Sequence, residues 1–341
     1  MDKINLKGMT IKEIKDFIEQ NKEKSFRAEQ IFEWICKGVS NFDLMTNLPK
    51  DLRLMLKQKA YIGELQIVKK KADRDKTVKY LFLLEDKNVV ESVFMKYGYG
   101  NSVCLSSQVG CKMGCVFCAS TIGGCIRNLK KWEIFDQLIQ IQNDLGEKHR
   151  ITHLVIMGSG EPLENYNEVI GALRLIHEGK NISFRRMTLS TCGIIPGIER
   201  LARENLPITL SVSLHAPTDE LRNRLMPINK IYPISPLIKA CKYYINITKR
   251  RITFEYALIK GINDSPKEAR LLAKILKNLL CHVNLININP VKERGFEQPD
   301  KKSVQTFKKI LEKEGINVTL RRKLGIGIDA GCGQLRRRYL D

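Results

Sequence analysis

The feature that most constrains this chain is one cysteine spacing, Cys111-Lys-Met-Gly-Cys115-Val-Phe-Cys118. Three thiols so close together cannot be shared out along a hairpin; they require a tight loop wrapped around one group. Ten cysteines in 341 residues are too sparse for a disulfide scaffold. Clustered thiols in a reducing compartment hold a metal or carry out redox chemistry. Cys104 and Cys125 flank the cluster, and Cys332 stands alone near the C-terminus between glycines. Cys36, Cys192, Cys241 and Cys281 sit singly in apolar stretches and read as buried thiols. Structural zinc takes four protein ligands, and ordinary ferredoxin clusters also use four cysteines. A 4Fe-4S cluster held by only these three would leave one iron open. Zinc, with Cys104 or Cys125 as a fourth ligand, is the alternative.

Around this motif the chain alternates strand, loop and helix. Seven strand candidates follow residue 100: SVCLSS, THLVIMG, RMTLST, ITLSVSLH, ITFEYALI, HVNLININ and INVTLRR. Helical patterns separate most of them, as in KKWEIFDQLIQIQNDLG and SPKEARLLAKILKNLL. Such alternation implies parallel strands joined by right-handed crossovers. Seven strands at most imply an incomplete α/β barrel, with a closed eight-stranded one as the alternative. In such barrels the site lies at the strand C-termini. There the sequence places Gly160-Glu161, Ser190, Ser213-Leu214-His215 and Asn289, each of which would alone pass for a strand-end cap or turn residue.

Residues 1–60 read as helices. Thr10 and Glu13 form a capping box, Phe26, Ile31, Trp34 and Ile35 fall at helical spacing, and Pro49 opens a third helix. ELQIVKKK, TVKYLFLLE and VVESVFMKYG then read as a small antiparallel sheet. The expected division is an accessory, RNA-binding domain over 1–96 and a barrel with its catalytic-cysteine segment over 97–341.

Charge adds a partner. The balance of 58 Lys+Arg against 37 Asp+Glu gives +21, which favours a polyanion such as RNA. Lys69-Lys70-Lys71, Lys249-Arg250-Arg251, Arg321-Arg322-Lys323 and Arg336-Arg337-Arg338 spread that charge along the chain. No apolar run approaches the ~20 residues of a membrane span, and the N-terminus lacks a signal-peptide core, so a cytoplasmic protein without membrane contact is expected.

The CxxxCxxC loop at the top of a partial α/β barrel resembles the radical SAM superfamily. There the open iron chelates S-adenosylmethionine, and one electron releases a 5′-deoxyadenosyl radical. Further segments narrow the resemblance: Cys104-Leu-Ser-Ser-Gln-Val-Gly-Cys111, Met157-Gly-Ser-Gly-Glu161-Pro162, Leu189-Ser-Thr-Cys-Gly193, Leu225-Met-Pro-Ile-Asn-Lys230 and Ile328-Asp-Ala-Gly-Cys332-Gly-Gln-Leu335. In this order they resemble the RlmN branch of the RlmN/Cfr methyltransferase family over nearly the whole chain. Ser159 and Gly331 depart from it, standing where a larger apolar residue and an alanine are usual.

The resemblance implies a partial (βα)6-type radical SAM barrel that methylates adenine carbon 2 of 23S rRNA and tRNA. Cys111, Cys115 and Cys118 would hold the cluster. Gly160, Glu161, Ser190, Ser213, Leu214, His215 and Asn289 would contact SAM. Two SAM molecules would be used per turnover, with a reducing donor such as flavodoxin and a monomeric enzyme. It further implies a relay: Cys332 takes a methyl group, carries it to the base as a radical, and is released when Cys104 attacks to form a disulfide. Glycines beside Cys332 would let its loop move. Glu91, on a strand face with Val89 and Val93, would remove the carbon-2 proton; Cys104 is the other candidate base. The rival within the family is Cfr-type methylation of carbon 8, since both types share these cysteines. The rival of another class is a non-catalytic iron–sulfur or zinc protein that binds RNA.

Overall fold

The computed structural model describes residues 3–335, so the Arg336-Arg337-Arg338 run lies outside the described residues. A short parallel pair, β1 (Ile4–Asn5) with β2 (Ala60–Tyr61), closes a unit of three helices. Helix α1 (Ile11–Gln20) starts at the expected capping box. Glu13 N–H donates to Thr10 Oγ1 at 3.2 Å, and the Glu13 carboxylate accepts Thr10 N–H at 2.7 Å. Helix α2 (Arg27–Cys36) buries Ala28, Ile31, Phe32 and Ile35, whereas Phe26 precedes the first turn and stays largely exposed. Pro49 caps α3 (Lys50–Lys59) from just outside it.

The antiparallel strands do not form the small separate sheet that their sequence suggests. Strands β3 (Gln66–Ala72), β4 (Val78–Leu83), β5 (Val89–Tyr97) and β6 (Gly100–Leu105) pair in sequence order. The far edge of β6 then pairs in parallel with β9 (Ile151–Ile156), and β10 (Met187–Thr191), β11 (Thr209–Ser213), β12 (Ile252–Leu258), β13 (Cys281–Asn287) and β14 (Val318–Leu320) follow in order. One mixed sheet of ten strands results, seven of them the predicted barrel strands from β6 onward. Its end strands β3 and β14 do not pair, so the barrel is open. Residue 96 falls inside β5, within this continuous sheet.

Between the parallel strands lie α4 (Lys131–Leu145), α5 (Tyr166–Lys180), α6 (Ile195–Arg203), α7 (Asp219–Leu225), α8 (Ile234–Thr248), α9 (Pro266–Leu276) and α10 (Lys301–Lys313). Helix α6, which the sequence pattern does not single out, carries Pro196 and Gly197 in its first turn. Pro suits a first helical turn, and Gly197 lets the helix approach Leu163, whose Cβ lies 2.8 Å from where a glycine-replacing Cβ would sit. Also unforeseen is the hairpin β7 (Gln108–Gly110) with β8 (Cys125–Asn128). One sheet face packs Leu189, Leu210, Val212, Phe254, Val283 and Leu285 into the main core. Among the described residues no helix is long and apolar enough to cross a membrane.

A buried ion pair ties the helical unit to the barrel. Lys7 Nζ lies 2.5 Å from Asp136 Oδ1 on α4, both side chains fully buried, and Leu65 N–H donates to the other carboxylate oxygen at 2.6 Å. Removing one partner leaves an uncompensated buried charge. Asp136→Ala is therefore expected to cost about 3–5 kcal/mol in denaturant unfolding, and Lys7→Met with Asp136→Leu less than that. A double variant as unstable as the single one would show that packing, not charge, holds the contact.

Candidate active site

The C-terminal end of β6 builds the first wall. Ser106 Oγ donates to the Glu91 carbonyl at 2.6 Å and accepts Ser159 N–H at 2.9 Å. Ser107 N–H donates to Ser159 O, and Glu161 N–H to Gln108 Oε1 at 2.8 Å. The loops after β6 and β9 are thereby bolted together. Gly160 makes this possible: its φ is +110°, and a Cβ there would lie 2.6 Å from Ser107 Oγ.

Hairpin β7–β8 brackets the cysteine loop, with Cys111 N–H on Gly124 O at 3.0 Å. Inside it, Thr121 Oγ1 donates to Cys118 O and receives Arg294 Nη2 at 2.8 Å. Cys111, Cys115 and Cys118 line one cleft, with about 950 Å³ not filled by protein and partly open to solvent. Cys125 points elsewhere, its Sγ on Arg127 O, and does not line the cleft. Among the described residues no three His, Cys, Asp or Glu side chains converge on one ion position. Three thiols spread around a roomy loop suit a multi-iron cluster better than a single zinc ion. Burial pushes Cys111 up to about 12 and raises Cys115 and Cys118, so holding iron requires these thiols to give up protons.

Gly160, Glu161, Ser190, Ser213, His215 and Asn289 line the same cleft. Buried Glu161 accepts N–H groups from Cys192 (2.7 Å) and Leu163 (3.0 Å), and burial raises its pKa. A carboxylate so placed favours a cationic group such as the SAM ammonium. Leu214 is the exception. Its side chain is fully buried in the core and outside the cleft, its N–H donates to Glu255 O, and its carbonyl accepts Arg222 Nε. His215 has φ +56°, and its Nδ1 accepts Ala257 N–H at 2.9 Å, which leaves the ring proton on Nε2. Burial and then Arg222 lower its pKa to about 3, so the ring is neutral throughout the physiological range.

Several participants escaped the sequence reading. Fully buried Arg222 reaches Cys192 O (2.6 Å), Ser213 O (3.1 Å), Leu214 O and Asn229 Oδ1 (2.8 Å), which ties the ends of β10 and β11 to the turn after α7. Cys192, read as an isolated core thiol, lines the cleft beside Glu161, and Glu255 and Arg321 line it too. Alternation of polar residues along the strands was the available signal.

Cys332 borders both this cleft and a second recess that contains Cys104, Tyr97 and Met95. All ten cysteines are free, so a Cys104–Cys332 disulfide is not a standing bond of the protein. Burial, then the neighbouring Cys332 thiol, pushes Cys104 up to about 12. The Cys332 loop is also held rather than loose. Asn289 Nδ2 donates to Cys332 O (3.1 Å), Gly331 N–H to Gln334 Oε1 (2.9 Å) and Ala119 N–H to Gly333 O (2.7 Å). Glu91 lies outside both recesses. It is 1% exposed, with Lys79 Nζ at 3.1 Å from its carboxylate, and it sits on an interior strand rather than an edge. Lys79 also donates to Asp329 O, three residues before Cys332.

Fold and cleft together define a radical SAM protein, and comparison with known proteins agrees. The radical SAM superfamily model matches residues 105–273, and the model of the ribosomal RNA large subunit methyltransferase N-terminal domain matches residues 4–62. The crystal structure of a radical SAM methyltransferase from Sphaerobacter thermophilus superposes with a TM-score of 0.94 at 42% identity, covering 98% of this chain and 100% of that one. The probable dual-specificity RNA methyltransferase RlmN of Alkaliphilus oremlandii is 53% identical, covering 100% of this chain and 99% of its own length. That of Desulforamulus reducens is 54% identical, covering 99% and 97%. The chain belongs to the RlmN family of radical SAM RNA methyltransferases.

Two outcomes follow. Alanine at Cys111, Cys115 or Cys118 is expected to abolish the cluster absorbance and SAM cleavage of anaerobically prepared protein; normal turnover by any of the three would contradict the ligand set. For His215, the unfolded chain binds a proton below about pH 6.5 while the folded ring stays neutral down to about 3. Stability should therefore fall on acidification through this window, by on the order of a few kcal/mol. His215→Asn should flatten that dependence in denaturant titrations at stepped pH, and an unchanged slope would sink the assignment.

Proposed function

We propose that this enzyme methylates carbon 2 of an adenine in 23S rRNA and in tRNA through Cys332. The observation that carries this reading is Cys332 standing between the cluster cleft and the recess of Cys104. Cys111, Cys115 and Cys118 would hold the cluster, and Glu161, Ser190, Ser213, His215 and Asn289 would hold SAM, which together would supply a 5′-deoxyadenosyl radical and, from a second SAM, the methyl group. Cys332 sulfur would take up that methyl group in place of its proton, give one methyl hydrogen to the radical, and become joined to carbon 2 of the base through the remaining methylene. Carbon 2 is electrophilic, so direct displacement on SAM by the base is not open to it.

Release then falls to Cys104, which must lose its proton to attack the Cys332 sulfur. The carbon-2 proton must also leave the adduct, together with one electron that would return to the cluster, and the proposed acceptor of that proton, ahead of Cys104, is Glu91. It lies on the face of β5 that carries Val93, and Val93 is the register partner of Cys104. Burial favours the protonated Cys104 thiol at rest, which favours Glu91 over it as the base. The basic charge of the chain, together with the helical unit closed by β1 and β2, is the proposed basis of RNA binding. A reduced flavodoxin-type donor, a monomeric state and a cytoplasmic setting complete the reading.

The two thiols should fail differently when replaced. With SAM and reductant, Cys104→Ala is expected to accumulate joined to RNA, seen on a denaturing gel as a nuclease-sensitive shifted band. Cys332→Ala should show none. Free protein in both lanes, where the wild type methylates, would overturn the relay. Mass spectrometry of the nucleosides separates 2-methyl- from 8-methyladenosine, and the 8-methyl product would select the Cfr-type reaction.

A further inference from the structure

The sheet's two faces differ in a way the reaction centre does not use. Facing the helices, the parallel strands present leucine, valine and phenylalanine. Facing the lumen below the cleft they present Thr188, Thr209, Ser211, Thr253, Asn284 and Thr319. The interior of a closed barrel is filled by branched apolar side chains. Here hydroxyls and an amide share the lining with Val155, Met157, Glu255 and Arg321, and it opens as a cavity of about 980 Å³ shared with solvent. Such a lumen fits a polar, hydrogen-bonding occupant.

At the mouth of this lumen stands the turn between β5 and β6, Tyr97-Gly-Tyr99-Gly100. The rings of Tyr97 and Tyr99 stack with centroids 4.9 Å apart at 9°, and the edge of His153 meets Tyr99 at 5.1 Å. Gly100, at φ +144°, lets the turn press onto Thr152, whose Oγ1 would lie 2.4 Å from an added Cβ. The turn is thus held against the sheet, yet Tyr99 remains 67% exposed. Tyr97 lines both the lumen and the recess of Cys104 and Cys332, as does the exposed, cationic Arg322. Asp75 lies within electrostatic reach of Arg322.

We propose that Tyr97 and Tyr99 form a stacking platform for an unpaired RNA base neighbouring the target adenine, with Arg322 placed for its phosphate. This rests on the RNA-methyltransferase reading and adds where the strand lies. A flat ring exposed beside a cation and above a hydroxyl-lined cavity matches the parts of a nucleotide: π-face, phosphate, and polar edges with ribose.

The test uses the full-length, cluster-loaded protein and an RNA stem–loop with 2-aminopurine on either side of the target adenine. Quenching of its fluorescence reports stacking, and titration gives the affinity. Tyr99→Ala should weaken binding roughly ten-fold and abolish the quenching at one of the two positions. Tyr99→Trp should restore both, and Ile247→Ala, at an exposed residue of α8, should match the wild type. Tyr99→Ala that keeps its quenching, whatever its affinity, overturns the platform. Wild-type protein that binds no RNA overturns the platform and the RNA reading together. Wild-type protein that binds with Tyr99-dependent quenching but does not methylate supports the platform and overturns only the proposed reaction.

Discussion

Strand β6 has two unlike neighbours, and the molecule is organised by that double pairing. On one edge it runs antiparallel to β5, on the other parallel to β9. The first pairing sets Cys104 opposite Val93 and on one face with the strand that carries Glu91. The second brings the end of β6 alongside the Gly158–Glu161 loop, where Ser106 and Gln108 accept that loop's backbone N–H groups. Since side chains alternate with a period of two, a slip of one residue would turn Cys104 out of the barrel and detach the cysteine loop from its wall. Both ends of the chemistry therefore hang on one register.

The remaining polar groups of the site are fixed by burial with partners. Arg222 has no solvent contact and spends its donors on loop carbonyls and Asn229, so the ends of β10 and β11 cannot drift apart. Glu161 joins the loops after β9 and β10 in the same manner. Unpaired, such groups would cost several kcal/mol each, which makes the arrangement close to all-or-none. The C-terminal segment belongs to this network as well. Ser120 Oγ donates to Leu335 O, and Asp75 and Asp73 accept N–H groups of Gly325 and Gly327. Any movement of Cys332 during turnover has to break specific bonds to the cysteine loop, to Asn289 and to the β3–β4 turn.

Much of this was legible because the governing periods are local. The seven barrel strands and the helices flanking most of them announced themselves by alternation and by 3.6-residue spacing. The CxxxCxxC loop announced itself by chemistry. What stayed hidden depends on residues far apart in sequence. Pro196 and Gly197 look like a break but open α6, because Leu163 supplies a close neighbour. Leu214 sits between two cleft residues, yet the strand's alternation sends its side chain to the core. Glu91 read as a base on one strand face with Val89 and Val93, and its ion pair with Lys79 came from the neighbouring strand. Glycines around Cys332 suggested a loose loop, while Asn289, Gln334 and Ala119 hold it.

The sequence by itself determined the chemistry available to this protein: three thiols in one loop, two further thiols set apart, polar residues at strand ends and a large basic excess. Residue type and short-range spacing suffice for that, since they fix which groups exist and which can share a turn. Only the tertiary structure decided which groups meet. It set Cys332 between two recesses, excluded Cys125 from the cysteine cleft, drew in Cys192, Arg222 and Arg321, and joined the antiparallel strands to the barrel. Those outcomes depend on strand register, on close approaches permitted at glycines, and on the need of every buried charge for a partner, which a distant part of the chain supplies.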